Sequence, residues 1–150
     1  MPRDPHYAAL ERMYLAAPVN RIYKPTIAVS EGAATVEIEA GEGLYHSAGA
    51  VHGSAYFKML DDAAFFAANS LEREVFVLTS SFTTYLLRPV TAGTLRSEGR
   101  VVHRSRTQFL AEAVLVDADG RTVGRGNGLF VRGRLPLTEA VGYADGEDGG

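Results

Sequence analysis

The hydrophobic pattern of the chain is dominated by one stretch, residues 52–70, which is apolar in almost every direction around a helix axis. It contains no proline and no glycine beyond its first turn, and at 1.5 Å per residue it predicts a helix of about 28 Å. Such a helix is buried on most sides. Lys58, Asp62 and Asn69 fall on one narrow polar stripe, which we expect to be the wettest face.

The two neighbouring aspartates of this stretch have different predicted surroundings. Asp62 follows Lys58 by four residues, so we interpret it as half of a solvated ion pair. Asp61 points about 100° away, with Phe57 and Phe65 one turn before and after it. Burying a carboxylate between aromatic rings is costly unless it has a partner or a chemical task, so Asp61 is a candidate functional residue.

The remaining periodicity predicts one short amphipathic helix and six strands. The helix is expected at residues 4–16, where Pro18 closes it. Strands are expected at 21–29, 33–40, 75–87, 94–103, 107–117 and 122–132, the first two as a hairpin and the last four as a meander. In the last strand Gly124, Gly126 and Gly128 share one face, which permits close approach by a helix, a backbone or a ligand.

This order of elements predicts an α+β architecture, with an antiparallel sheet wrapped around one long central helix. We expect an N-terminal helical segment at 1–19, a main domain at 20–134 and a disordered tail at 135–150. One small sheet does not cover so apolar a helix, so we also expect a homodimer and, beyond it, a dimer of dimers.

Composition narrows the class of protein. A length of 150 residues with 46% hydrophobic and 22% charged residues suits one globular domain. The absence of cysteine excludes disulfides, thiolate metal sites and a cysteine nucleophile. No apolar run approaches the ~20 residues of a membrane span, and the first residues lack a signal peptide's hydrophobic segment. We therefore expect a cytoplasmic protein without a membrane partner.

The charge of the chain indicates its binding partners less clearly than the composition indicates its class. The net charge of −3 provides no general attraction to nucleic acid, so no nucleic-acid partner is expected. Arginines are nevertheless concentrated between Arg88 and Arg134. They form either a solvated outer face of the sheet or a patch for a phosphate-bearing ligand.

Two motifs resemble a known family. Residues 46–54, His-Ser-Ala-Gly-Ala-Val-His-Gly-Ser, lead into Met59-Leu60-Asp61, and residues 85–89 read Tyr-Leu-Leu-Arg-Pro. These runs are similar to the loop, helix start and post-helix strand of PaaI-like hotdog-fold acyl-CoA thioesterases. The resemblance covers about residues 20–132. It implies the hotdog fold and an enzyme that hydrolyses the thioester of an acyl-CoA.

The resemblance also implies catalytic roles. Gly53 would direct its backbone N–H at the thioester carbonyl from the start of the helix. Asp61 would activate water as a general base or attack as a nucleophile. Thr79 matches a Ser or Thr position that orients the water. His46 stands where the family often has an amide that contacts the carbonyl or water.

Further positions are expected to bind the substrate. His52 would mainly shape the turn, and Ser54 replaces the family's second glycine. Phe57 and Phe65 are expected to line an apolar or aryl pocket. The phosphates of coenzyme A are expected to contact Arg88, Arg104 and Arg106. The aromatic residues are equally compatible with a plain core. No metal or cofactor is expected, since coenzyme A enters as part of the substrate.

Two other functions stay open at this point. One is a hotdog dehydratase or hydratase on acyl thioesters, in which His46 or His52 would work with Asp61. The other is an acyl-CoA-binding module without catalysis.

Overall fold

The structure, a computed structural model, describes residues 2–144 as one antiparallel sheet crossed by one long helix. Three α-helices precede or cross the sheet: α1 (Pro5–Ala16), α2 (Asn20–Tyr23) and α3 (Gly53–Ser70). The strands are β1 (Thr26–Ser30), β2 (Ala33–Ala40), β3 (Val75–Leu86), β4 (Gly93–Arg104), β5 (Gln108–Val116) and β6 (Thr122–Pro136). Their order in the sheet is β1-β2-β4-β5-β6-β3, and the predicted hotdog architecture is confirmed.

Two predicted elements differ from the structure. Residues 20–23 form α2 and not the start of a strand, and the helix ends at Lys24, whose φ of 48° is left-handed. The following Pro25 disfavours a helical conformation at Lys24, which explains the stop. The meander comprises only β4, β5 and β6, because β2 and β5 occupy both sides of β4 and leave β3 to pair with β6.

The end of the chain is more ordered than expected up to residue 144. Strand β6 continues to Pro136, two residues past the expected end of the main domain at 134. Residues 137–144, here called the C-terminal segment, contain a 3-10 turn at Glu139–Val141 and pack against the core through Leu137, Val141 and Tyr143. The rest of the expected disordered tail, residues 145–150, lies outside the described residues.

The polar stripe of α3 is covered, which contradicts the expected wet face. Helix α1 packs over it, and Tyr14 Oη donates to Asp62 Oδ2 at 2.6 Å. Lys58 Nζ pairs with Asp62 Oδ2 at 2.6 Å and lies 5.0 Å from the centroid of the Tyr23 ring. Asn69 is fully buried, where its amide bonds the backbone that leads into β3.

The chain thus buries its own central helix. Among the large apolar residues of α3 only Phe57 is exposed, at 43%. The inference of a dimer from an uncovered helix was therefore wrong in its premise, because the cover supplied by α1 was not foreseen. None of the described helices is long and apolar enough to cross a membrane.

Helix α3 approaches the sheet most closely at Gly99 of β4. A Cβ atom at this position would lie 2.3 Å from the Ala63 carbonyl carbon and 2.6 Å from the Ala64 nitrogen. On the glycine face predicted in β6, a Cβ at Gly124 would lie 3.4 Å from Leu60 and Tyr56 of α3, whereas one at Gly126 or Gly128 would meet the Phe82 ring at 2.4 Å. Gly99, which no periodicity singled out, is therefore the glycine that lets helix and sheet backbones touch.

Substituting Gly99 by alanine should destabilise the fold strongly. The new methyl group would collide with helix backbone, which cannot rotate away as a side chain can, so we expect a loss of about 2–4 kcal/mol in the free energy of unfolding. Gly43→Ala is the matched control, because a Cβ there meets nothing within 4 Å. Urea unfolding of both variants measures the difference, and equal midpoints would contradict the close-packing account.

Candidate active site

The start of α3 presents one free backbone donor. His52 caps the helix, with Nδ1 accepting from Ser54 N–H at 3.0 Å and its carbonyl accepting from Ala55 N–H at 3.0 Å. No partner for the Gly53 N–H occurs among the residues that the structure describes. At a helix N-terminus such a donor favours negative charge. His52 thus caps the first turn of the helix, and its Nδ1 also lies 2.8 Å from Ser54 Oγ.

A small cavity adjoins this donor. It has a volume of about 300 Å³ and is lined by His46, Gly53, Tyr56, Arg88 and their neighbours. His46 Nδ1 accepts from Ala48 N–H at 3.1 Å, which fixes the ring in its loop. Tyr56 Oη donates to the Arg88 carbonyl at 2.7 Å and ties the helix to the chain after β3. We call His46, His52, Gly53 and Arg88 the Gly53 half-site.

Asp61 and Thr79 form the second cluster, which we call the Asp61 half-site. Thr79 Oγ1 donates to Asp61 Oδ1 at 2.9 Å, and its expected role in orienting a water stays a prediction. A shift of register between Thr79 and Ser81 marks a β-bulge at this point of β3, and bulges re-aim side chains beside functional sites. Within residues 2–144 nothing donates to Asp61 Oδ2, which leaves this oxygen able to accept from water.

The carboxyl of Asp61 has an altered acidity. Burial raises the pKa of Asp61 to about 6, and the negative charge of Asp62 acts in the same direction. The Thr79 hydroxyl and the Lys58 ammonium oppose the rise in pKa, but they do not cancel it. Asp61 is consequently a carboxylate poised to take up a proton near neutral pH, which is what a general base requires.

A larger cavity of about 570 Å³ opens beside Asp61. Along α3 its wall runs from Lys58 to Phe66, and Phe76 and Thr79 of β3 continue it. The expected aromatic contact Phe65 lies in this wall, whereas Phe57 packs edge-on against Phe82 at 5.7 Å between ring centroids. Phe65 also belongs to the core, in contact with Phe66, Phe76 and Phe130.

The two half-sites are far apart within one chain. Gly53 and Asp61 are separated by eight residues of a continuous α-helix, about 12 Å at 1.5 Å per residue. One thioester carbonyl cannot contact both groups across that distance. The structure therefore brings Asp61 and Thr79 together, and His46, His52 and Gly53 together, but it does not unite the two sets within a chain.

The arginines expected to bind phosphates are also divided. Arg88 lies beside Gly53. Arg104 and Arg106 instead flank the turn between β4 and β5. The Thr107 carbonyl of this turn accepts a hydrogen bond from Arg132 N–H, near the other end of α3. All three are exposed, and none forms an ion pair with a described residue. Several neighbours are instead paired with acids: Arg96 with Glu98, Arg100 with Glu112, Arg121 with Asp117 and Asp119, and Arg132 with Glu72 and Glu74. The outer face is thus largely a set of surface ion pairs.

Some residues of the site were missed by the sequence. Tyr14 and Phe76 line the larger cavity, and Ala140, Val141 and Gly142 of the C-terminal segment complete it. The apolar side of α1 contained Tyr14, but no sequence pattern specified which surface this side covers. Nothing in residues 137–144 distinguished a cavity wall from a polar tail.

Comparison with known proteins decides the family. The model of the thioesterase superfamily matches residues 48–124, just over half of the chain, and this range includes every residue of the two half-sites except His46. The chain belongs to the thioesterase superfamily. It is accordingly a thioester hydrolase, as predicted. No curated protein matches the sequence.

Solved structures resemble this thioesterase in fold. The E. coli PaaI protein, from the phenylacetic acid degradation operon, is 24% identical, with a TM-score of 0.80 over 90% of this chain and 100% of its own. S. sahachiroi AziG is 27% identical, with a TM-score of 0.73 over 81% of this chain and 99% of its own. Haemophilus influenzae thioesterase HI1161 is 12% identical, with a TM-score of 0.74 over 83% and 88%. The predicted PaaI-like hotdog fold is confirmed.

The raised pKa of Asp61 predicts the pH dependence of activity. The predicted role of Asp61 as base requires its carboxylate form, so kcat/KM should level off above about pH 7, be halved near pH 6 and fall about tenfold per pH unit below that. Asp62→Asn should move the midpoint to lower pH, because it removes a charge that raises the pKa of Asp61. A midpoint near pH 4 in the unsubstituted enzyme would contradict this assignment.

Proposed function

We propose that this thioesterase hydrolyses acyl-CoA to a free acid and coenzyme A, with Asp61 as the catalytic carboxylate and the Gly53 N–H as oxyanion donor. The observation that carries the proposal is the Asp61–Thr79 pair, held at 2.9 Å with a raised pKa beside a cavity of ligand size. Water and a backbone donor suffice for this hydrolysis, so the proposal includes no metal or redox cofactor.

In the proposed reaction Asp61 acts on water. Thr79 holds Asp61 Oδ1, and Oδ2 accepts a proton from a water molecule whose oxygen attacks the thioester carbon. The carbon–sulfur bond then breaks, the thiolate of coenzyme A takes up the proton, and the free acid remains. Direct attack by Asp61 is the competing route: it would release the thiolate of coenzyme A and form an acyl–aspartyl anhydride. Water attacking the Asp61 carbonyl of that anhydride would place one solvent oxygen in the Asp61 carboxylate during a single turnover.

The Gly53 N–H supports the transition state in this proposal. Negative charge develops on the carbonyl oxygen during attack, and a fixed donor aimed at that oxygen lowers the barrier. Its neighbours in the first turn, the N–H groups of Ser54 and Ala55, are already bonded to His52. His46 lines the same cavity and would contact the carbonyl or the water from its loop.

The separation of the half-sites supports an active site shared by two chains. Strand β3 is an edge of the sheet, twelve residues long, with Leu78, Tyr85 and Leu86 exposed. Such an edge tends to pair with another strand. Antiparallel pairing about a two-fold axis would bring the Leu86 end of one β3, beside Gly53, towards the Thr79 part of the other.

This arrangement revises the reason for expecting a homodimer. The dimer is supported by the open edge of β3 and by the incomplete half-sites, since the chain already covers α3. Arg88 is the arginine that we assign to the phosphates of coenzyme A, because it is exposed and adjoins Gly53. Contacts from Arg104 and Arg106, like the dimer of dimers, stay predictions.

The proposed roles of the two aspartates are separable by substitution. Asp61→Asn should lower kcat for acyl-CoA by about 10²-fold or more, the scale of losing a positioned base. Asp62→Asn is the matched control and should leave kcat within a few-fold, because Asp62 contacts Lys58 and Tyr14 and not the reacting atoms. A thiol reagent that detects free coenzyme A provides the measurement.

Each outcome of this assay has a meaning. Equal losses in the two variants would contradict the assignment of Asp61. Enoyl-CoA consumed without release of thiol would indicate a hydratase, and acyl-CoA binding without either reaction would indicate a binding module.

A further inference from the structure

The larger cavity has a wall that the hotdog core does not supply. Beyond β6, Ala140, Val141 and Gly142 of the C-terminal segment line this cavity together with Phe65 and Phe66 of α3. The lining on α3 begins at Lys58, one turn before Asp61, and continues to Phe65 and Phe66, one turn beyond Asp61 and further from Gly53. An acyl chain that extends from the reacting carbonyl in this direction would contact the C-terminal segment.

The segment is fastened at both ends. Leu137 N–H donates to the Glu74 carbonyl at 3.0 Å, and the Ala144 carbonyl accepts from Arg12 Nη1 at 3.0 Å. Between these anchors the backbone forms hydrogen bonds within the segment, as in Val141 N–H to the Thr138 carbonyl at 3.1 Å. Val141 packs against the core from this short turn.

A bond between His6 and Tyr143 sets the position of the segment on α1. His6 is buried, and its Nε2 lies 2.9 Å from the Asn69 carbonyl, which can only accept, so Nε2 donates. Nδ1 is then the acceptor, and Tyr143 Oη donates to it at 2.8 Å. The two rings also pack at 5.7 Å between centroids.

Apart from Asp61, the charged groups of the cavity wall are already paired with one another. Lys58 is bonded to Asp62, and Asp62 accepts a second hydrogen bond from Tyr14. A terminal carboxylate on an acyl group would require an unpaired cation here, and Lys58 is neutralised by Asp62. The far part of the cavity therefore favours an apolar acyl group over one that ends in a charge.

From these contacts we propose that the C-terminal segment is the specificity wall of the enzyme, with Val141 setting the length of apolar acyl group accepted beyond Asp61. His6 and Tyr143 act as positioning residues for this wall. The proposal rests on the proposed function, because it takes the cavity beside Asp61 as the acyl site.

Enlarging Val141 tests the wall directly with a series of straight-chain acyl-CoA substrates from acetyl to decanoyl. In the unsubstituted enzyme each methylene that enters the cavity should raise kcat/KM about four-fold, equivalent to about 0.8 kcal/mol, until the cavity is filled. Val141→Trp should end this rise several carbons earlier, with octanoyl-CoA reduced at least ten-fold and acetyl-CoA changed less than two-fold. Val141→Ala should let kcat/KM continue to rise to longer acyl chains than in the unsubstituted enzyme.

Two matched variants separate the wall from general damage. Glu139→Trp places the same ring on the segment at an exposed residue outside the cavity lining and should leave the length profile unchanged. Tyr143→Phe removes only the hydroxyl. It should reduce the increase in kcat/KM per methylene, while the enzyme still hydrolyses acetyl-CoA. Equal losses for acetyl and octanoyl substrates in Val141→Trp, or the same profile in Glu139→Trp, would overturn the proposal.

Binding to an inactive enzyme distinguishes failure of the wall from failure of the proposed function. In an Asp61→Asn background the dissociation constant of octanoyl-CoA, measured by calorimetry, should rise at least ten-fold on adding Val141→Trp. This result supports the wall even if the unsubstituted enzyme releases no thiol from acyl-CoA. An unchanged dissociation constant would refute the wall, whatever the effect of Asp61→Asn on hydrolysis.

Discussion

Contact between the backbones of α3 and β4 at Gly99 is the constraint on which the rest of the structure depends. Because no side chain separates Ala63 and Ala64 from this strand, the helix lies deep in the curve of the sheet. This contact fixes where α3 lies on the sheet, and the continuous helix itself keeps Gly53 and Asp61 apart, since eight residues rise about 12 Å. The separation of about 12 Å is thus built into the fold, and a catalytic centre that uses both groups requires two chains.

The ionisation of Asp61 affects stability and the proposed activity in opposite directions as the pH rises. Its raised pKa means that the folded chain binds this proton more tightly than the unfolded chain does. The stability gained from the protonated form is fully present below about pH 4 and is lost as the pH rises through about 6. The enzyme is therefore less stable at the pH where Asp61 is ionised, which is the form that the proposed reaction requires.

The sequence predicted those features that depend on local pattern. The bounds of α3, the Lys58–Asp62 ion pair and the distinct position of Asp61 all follow from helical spacing. The cover of α1 over the polar stripe, the pairing of β3 with β6 and the wall at Val141 depend on contacts between distant segments, which no local pattern specifies. Gly99 illustrates the limit, since it is one glycine in an ordinary strand until the path of α3 over it is known.

The shared active site is the central claim, and mixing two inactive variants tests it most directly. Gly53→Pro deletes the donor N–H, and His52, with φ −63° and ψ 143°, already has the conformation that precedes proline. Gly53→Ala is its control, because it meets the same flexible Leu86 side chain but keeps the N–H. The second inactive partner is Asp61→Ala.

After dissociation and random reassociation, about half of the dimers contain one chain of each kind. In a shared arrangement each mixed dimer has one site with both lesions and one with neither, so activity should recover to about a quarter of that of the unsubstituted enzyme. Activity that stays at the level of the parent variants, with mixed dimers confirmed by mass, would contradict the shared site.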